Sequence, residues 1–200
     1  MEADWEVEVG GGAPVIEADW PGFVDLRRYP ERVERLSEVK DFPALAEALV
    51  ALNAQTSPVW TSKCDVWPVV DLADPAVAPG SPAAVFSPFD PDELDAPPEH
   101  AAYAIAFYID LLPRSDKQWP DPAMAAAACK HVCSLLHAFP LRCCRVDLIT
   151  REALIVAGRV DLGITAYLTA CGPSPAGATK ALQAALSVFA RVLSTQSTVE

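Results

Sequence analysis

The sequence predicts an α+β protein in which helices pack on one face of an antiparallel sheet. In its second half the spacing of apolar residues alternates between period 2 and period 3.6, which indicates strand, helix, strand, strand and helix in that order. A chain of 200 residues that is 52% apolar and 21% charged can also bury a substantial core. These observations indicate how the chain folds and leave its function open.

Residues 1–70 predict short strands, one helix and a longer strand. Apolar and acidic side chains alternate over residues 5–9, before three glycines, and a second extended segment follows near residue 15. These two segments fit short strands or a hairpin with a loose loop.

A helix is predicted over residues 42–53, because Asp41 can cap it and a proline falls in its first turn. A strand follows over residues 59–67. Strict alternation in that strand predicts that its two tryptophans, Trp60 and Trp67, point to opposite faces.

Residues 71–100 differ in composition from the rest of the chain. Seven prolines interrupt any regular element there, and an acidic run occupies residues 90–95. We interpret the segment as an ordered excursion over the surface or as a linker. Its carboxylates lack the glycine and the distal glutamate of an EF-hand loop, so no calcium site is predicted.

Residues 101–200 are the most regular part of the sequence. The strands are predicted near residues 103–112, 143–150 and 160–170. One helix begins after Asp121 and another after Ser174, because each of these capping residues is followed by proline. The order of elements is most of a ferredoxin-like unit and lacks only its final strand, which the N-terminal half could supply. Residues 1–70 and 101–200 are then separate units or all one domain.

Polar side chains alternate with large apolar ones on these three strands and form a candidate binding face. Its residues are Tyr108, Asp110, Arg145, Asp147, Thr165 and Tyr167. Two carboxylates near one guanidinium can form an acid/base pair, or the arginine can hold both ionised in a structural network. We expect solvent, a partner or residues 71–100 to reach this face, because a one-residue slip in register would bury Asp110 and Asp147.

The six cysteines are predicted to be reduced, and we expect neither a metal nor a cofactor. No two of them have the CxxC spacing that is typical of zinc and redox sites. Cys129, Cys133 and His137 share one stripe of a predicted helix and are the alternative metal site. The third of these residues lies two turns from the first, so buried thiols are the preferred interpretation.

The charge of the chain bears on its partners. A net charge of −12 argues against nucleic acid and anionic membranes, which bind clustered Lys and Arg. No apolar run reaches the roughly 20 residues of a membrane span. The acidic N-terminus also lacks the basic region of a signal peptide, so we expect a cytoplasmic protein.

Sequence motifs of the common catalytic sites are missing. There is no GxSxG, HExxH or GxxxxGK[ST], and no GxGxxG follows a strand. Five tryptophans and an acidic surface favour a non-catalytic module that binds a protein partner or a second copy of itself, as an accessory or assembly protein. The alternative is a small enzyme with a carboxylate/tyrosine acid–base site on the candidate binding face.

Overall fold

The computed structural model describes residues 1–8, 14–17, 22–69, 94–97, 100, 102–115, 118–155 and 159–195. Most of the proline-rich segment predicted over 71–100, including its acidic residues 90–93, lies outside these ranges. The strands are β1 (Glu2–Val7), β2 (Val15–Ile16), β3 (Val59–Val69), β4 (Tyr103–Pro113), β5 (Cys144–Ile155) and β6 (Arg159–Gly172). The helices are a 3-10 helix (Pro30–Arg35), α1 (Ser37–Asp41), α2 (Ala44–Asn53), α3 (Pro122–His137) and α4 (Pro175–Ser194).

The strands form one six-stranded sheet in a mixed α+β fold. Its order is β1-β5-β6-β4-β3, and β2 also pairs with β5. The pairs β3–β4, β4–β6 and β6–β5 are antiparallel, and the last two join the three strands predicted from residues 101–200. The prediction of a purely antiparallel sheet is wrong at one edge, where β1 and β2 both run parallel to β5.

The two N-terminal strands therefore do not form a hairpin with each other. β1 pairs with residues 145–150 of β5 and β2 pairs with residues 153–154, so they follow one another along the same neighbour. An alternating apolar pattern indicates a strand, but it contains no information about which neighbour that strand pairs with or in which direction.

The two long helices begin where the sequence predicts. The Asp121 carboxylate accepts the N–H of Met124 at 2.9 Å, and the Ser174 hydroxyl accepts the N–H of Gly177 at 3.1 Å. The predicted cap of α2 is wrong: Asp41 is the last residue of α1, and α2 begins after Pro43 without a side-chain cap.

Helices α2, α3 and α4 cover one face of the sheet and bury its large apolar side chains. The inner face includes Phe107, Ile109 and Leu111 of β4 together with Val146, Leu148 and Leu168 of β5 and β6. Phe107 and, on α4, Phe189 are both 0% exposed. The prediction that helices pack on one face is confirmed, and the candidate binding face is the opposite side of the sheet.

A β-bulge changes the faces of β3. Its register against β4 shifts between Thr61 and Cys64, so that Trp60 lies opposite Leu112 and Trp67 lies opposite Ala106. Both tryptophans consequently lie on the side of the sheet that faces away from the helices, and the alternation predicted for them is wrong. An extra residue in one strand moves each later side chain of that strand to the face opposite the one that strict alternation predicts.

The bulge is anchored from the helical side. Asn53, the last residue of α2, donates from Nδ2 to Thr61 Oγ1 at 2.7 Å and accepts the N–H of Thr61 on Oδ1 at 3.1 Å. Asn53 is buried, so these two hydrogen bonds satisfy an amide that water cannot reach.

Candidate functional site

The structure brings all six residues of the candidate binding face to one side of three adjacent strands. Tyr167 on the central β6 lies opposite both Tyr108 and Asp147, and Thr165 lies opposite Asp110. Arg145 lies one row further along β5, opposite Thr169. Side chains of residues paired in this way project from the same face, so the predicted grouping is correct.

A row of aromatic rings crosses this face. The ring centroids of Trp67 and Tyr108 are 6.0 Å apart, and those of Tyr108 and Tyr167 are 6.1 Å apart, with tilted planes in both pairs. All three residues are partly buried and retain some exposed surface. Trp67 was not predicted to belong to this row, because the bulge that turns it to this side has no signal in the sequence pattern.

Ion pairs line the β1 side of the row. Arg145 Nε lies 2.8 Å from Asp147 Oδ1, and Arg145 Nη2 lies 3.8 Å from Asp4 Oδ2. The two carboxylates near this guanidinium are therefore Asp147 and Asp4, and the expected partner Asp110 is not one of them. Asp4 was missed because its place depends on the parallel pairing of β1 with β5. Both carboxylates lie within ion-pair distance of the arginine, as in a structural network.

A second arginine belongs to the same surface. Arg151 Nε lies 2.8 Å from Glu8 Oε2, and its guanidinium carbon lies 6.0 Å from the centre of the Tyr167 ring. Partial burial is the largest single effect on Arg151 and lowers its pKa, but the Tyr167 hydroxyl and then the Glu8 carboxylate raise it, so that the net shift of the pKa is upward. Arg151 thus joins an ion pair to the aromatic row.

Asp110 differs from the other members because it is only 7% exposed. The Thr165 hydroxyl, itself buried, donates to Asp110 Oδ1 at 2.7 Å. Burial raises the pKa of Asp110, and the hydrogen bond from Thr165 and the charges of Lys63 and Arg151 offset part of that rise. Water therefore reaches Asp110 far less than it reaches the other charged residues of the face. Burial, followed by the charge of Asp110, also raises the pKa of Tyr108 to about 12.

Apolar residues cover both ends of this side of the sheet. At the β2 end they form the Trp60 cluster, which consists of Val15, Trp60, Leu112 and Ala153 with Phe23 and Ile155. At the other end they form the Leu94 cluster, which consists of Leu94, Ala104, Cys143 and Cys171 with Val69 and Ala96. The residues of the candidate binding face lie between these two clusters, and none of the six belongs to either.

A cavity of about 380 Å³ opens beside the bulge of β3. Tyr108 lines it, together with residues of both charges: Arg35, Glu38, Lys63 and Asp65. Its volume lies within the usual range for sites that bind small molecules. The sequence offered no signal for this cavity, since its walls come from parts of the chain as far apart as Gly22 and Tyr108.

The residues of the alternative metal site have separate partners. Cys129 Sγ lies 3.6 Å from Thr150 Oγ1, Cys133 Sγ donates to the carbonyl of Asp4 at 3.3 Å, and His137 Nε2 accepts the N–H of Ala3 at 3.3 Å. Burial raises the pKa of the two thiols to about 11 and about 12, which keeps them protonated. Within the described ranges, no three His, Cys, Asp or Glu side chains converge as metal ligands.

Comparisons with known proteins give no relative. No family model, no curated protein and no solved structure matches the chain. In the part of the chain that the structure describes, none of the helices combines the length and apolar character needed to cross a bilayer. The function proposed below is therefore inferred from the geometry of the candidate binding face.

Proposed function

We propose that this chain is a non-catalytic protein-binding module and that the candidate binding face is its docking surface. The observation that carries the proposal is the row of Trp67, Tyr108 and Tyr167, flanked by the ion pairs of Arg145 and Arg151. Tyrosine, tryptophan and arginine contribute most of the binding energy at protein interfaces. Here their neighbours hold these side chains in place, and part of each side chain stays exposed. Binding a partner would therefore cost little side-chain conformational entropy.

The edges of the sheet support docking on the face rather than strand addition. At β1 the N–H of Ala3 donates to His137 Nε2, and the N–H of Trp5 donates to the Asp4 carboxylate at 2.8 Å. At β3 the N–H of Val66 donates to the Asp65 carboxylate at 2.8 Å. Side chains thus occupy N–H groups that an added strand would need, which is a known protection of edge strands.

Charge favours a partner with a basic rim. Asp4 and Glu6 on β1 and Asp65 on β3 are exposed acids at the two sides of the face, and the whole chain carries a net charge of −12. Complementary charge around an aromatic centre increases the association rate and the specificity of binding. We propose a cytoplasmic protein as the partner, or a second copy of this chain, rather than nucleic acid or membrane.

Photo-crosslinking from the face tests this proposal. Benzoylphenylalanine replaces Tyr167 in one variant and Val50 in the control, because Val50 lies on helix α2 and is 40% exposed. Both variants are expressed in the organism that makes the protein, and crosslinked products are identified by mass spectrometry. We expect one defined basic protein, or a second copy, from position 167 and not from position 50. The same products from both positions, or none from position 167, would contradict the proposal.

A small enzyme is the second candidate, and Asp110 is the observation that favours it. A buried carboxyl with a raised pKa close to a tyrosine that lines a cavity is typical of acid–base sites. A thermal-shift screen with small molecules separates the two candidates, since a ligand at about 100 times its Kd adds about 2.7 kcal/mol of stability. A compound that stabilises the natural chain but not Asp110→Asn would favour the enzyme.

We also propose that β3 to β6 with α3 and α4 are a permuted ferredoxin-like unit. β3 lies antiparallel beside β4, where the final strand of such a unit would lie after the second helix. In this chain that strand precedes the unit. Because β1 pairs with β5 and β3 with β4, we propose that residues 1–70 and 101–200 are one domain.

A further inference from the structure

Two cysteines meet at one end of the sheet, within the Leu94 cluster. Cys143 immediately precedes β5, and Cys171 lies near the end of β6. The N–H of Cys171 donates to the carbonyl of Cys143 at 3.0 Å, which makes the two residues antiparallel neighbours. Hydrogen-bonded neighbours of this kind have Cα atoms about 5.5 Å apart, and this lies inside the range that a disulfide bond spans.

The two thiols also face each other. Both side chains belong to the same apolar cluster, with exposed fractions of 6% and 1%. Cys143 adopts φ of +61°, a left-handed conformation that is unusual for a residue with a side chain. His100 Nδ1 lies 3.8 Å from Cys143 Sγ. Cys143 therefore has the imidazole of His100 beside it, and Cys171 has the Cys143 thiol beside it.

The other buried cysteines have different surroundings. Cys144 lies on the helix side of the sheet and its thiol donates to the carbonyl of Ala181 at 3.5 Å. Cys129 and Cys133 are hydrogen-bonded to Thr150 and to the backbone of β1. Within the described residues, Cys143 is the cysteine that has both a second thiol and an imidazole as neighbours. A second thiol beside a cysteine is typical of oxidation-sensitive pairs. Burial, followed by the effect of Cys143, raises the pKa of Cys171 to about 12, so in this pair the base acts against burial.

We propose that Cys143 and Cys171 are a modification site, at which a peroxide converts the two thiols into an intramolecular disulfide. His100 takes the proton of Cys143, and the thiolate attacks one peroxide oxygen. The S–O bond forms while the O–O bond breaks, and the departing hydroxide takes a proton to become water. Cys171 then loses its proton and attacks the sulfenic sulfur, so that the S–S bond forms and the S–O bond breaks with release of a second water. Two thiols are oxidised and one hydrogen peroxide is reduced to two waters.

The test is oxidation of the whole chain with dilute hydrogen peroxide, followed by alkylation of free thiols and peptide mapping. We expect a product lighter by two hydrogen atoms, with the peptides of Cys143 and Cys171 joined. The control variant Cys129→Ser should form the same bridge. Cys171→Ser should form none and should instead accumulate a sulfenic acid at Cys143 that dimedone labels.

His100→Gln provides a second measurement that does not depend on removing a cysteine. The same bridge should form in this variant, but roughly 100-fold more slowly, because the base that accepts the thiol proton is missing. An unchanged rate would overturn the role of His100. A bridge between any other two cysteines, or a Cys143 that reacts no faster than Cys129, would overturn the proposed site.

Discussion

Residue by residue, the candidate binding face combines two kinds of polar group. Arg145, Asp147 and Arg151 are partly exposed and ion-paired, whereas Asp110 is buried with one hydrogen bond from Thr165. Partly exposed ion pairs contribute little to stability, but a buried carboxylate costs free energy unless its partners replace water. The two groups should therefore respond to substitution in different ways.

Asp110→Asn should be more stable than the natural chain at neutral pH. The unfolded carboxyl titrates near 3.8, and burial raises the folded pKa above that value. Below the unfolded pKa both states are protonated and there is no penalty. As pH rises, the unfolded chain ionises first, so the natural chain loses stability until the folded pKa is passed. Denaturation at several pH values should show an advantage of Asp110→Asn that grows with pH, and an advantage that shrinks would contradict the account.

Arg145→Ala should cost at most about 1 kcal/mol, because its ion pair with Asp147 is partly exposed to water. Asp147→Asn should cost a similar amount. The double variant should then be less destabilised than the sum of the two, since both changes remove the same interaction. Urea denaturation of the four proteins measures this directly. A loss of several kcal/mol from Arg145→Ala alone would mean that the pair has a structural role that its exposure does not indicate.

At the scale of helices and strands, the sequence predicted the features that depend on residues close together in the chain. The helix starts at Asp121 and Ser174 follow from a capping side chain and a proline, both of which act within one turn. The bulge of β3 was not predicted, because the alternation of side chains carries no signal of the hydrogen bond that anchors it, between Asn53 at the end of α2 and Thr61. The same limit explains why Trp67 was missed and Tyr108 and Tyr167 were not.

Removing either helix cap should destabilise the protein by about 0.5–2 kcal/mol. Asp121→Ala and Ser174→Ala each leave a backbone N–H at the helix start without its side-chain acceptor. Ser174→Asp retains an acceptor and is the matched control, which should unfold at nearly the temperature of the natural chain. Calorimetry that finds the alanine and aspartate variants equally destabilised would show that the cap is not the cause.

Truncation of the inner face should be far more costly. Phe107→Ala and Phe189→Ala each remove a fully buried ring and should cost about 3–5 kcal/mol. Val50→Ala, on the exposed side of α2, should cost much less. Chemical denaturation of the three variants gives the comparison. An unchanged midpoint for Phe107→Ala would mean that the assignment of the two sheet faces is wrong.

Across the whole molecule, the sheet separates two environments. One side is covered by three helices, and the other has apolar clusters at its ends and a polar, aromatic centre. Alternation within β4, β5 and β6 was enough to predict which of their residues share each side, whereas the bulge reversed the predicted faces of β3. The strand order, the parallel edge at β5 and the covering of both ends depend on contacts between distant parts of the chain, so no local pattern could reveal them.

The central claim is that Trp67, Tyr108 and Tyr167 form one continuous row that solvent reaches. Nuclear Overhauser contacts between ring protons, combined with a soluble paramagnetic relaxation agent, test it on the purified protein. We predict contacts from the Tyr108 ring to the rings of Trp67 and Tyr167. The agent should strongly broaden the ring signals of Tyr167, while the ring signals of the buried Phe107 stay sharp. A Tyr167 ring as protected as Phe107, or the absence of a contact between Tyr108 and Tyr167, would contradict it.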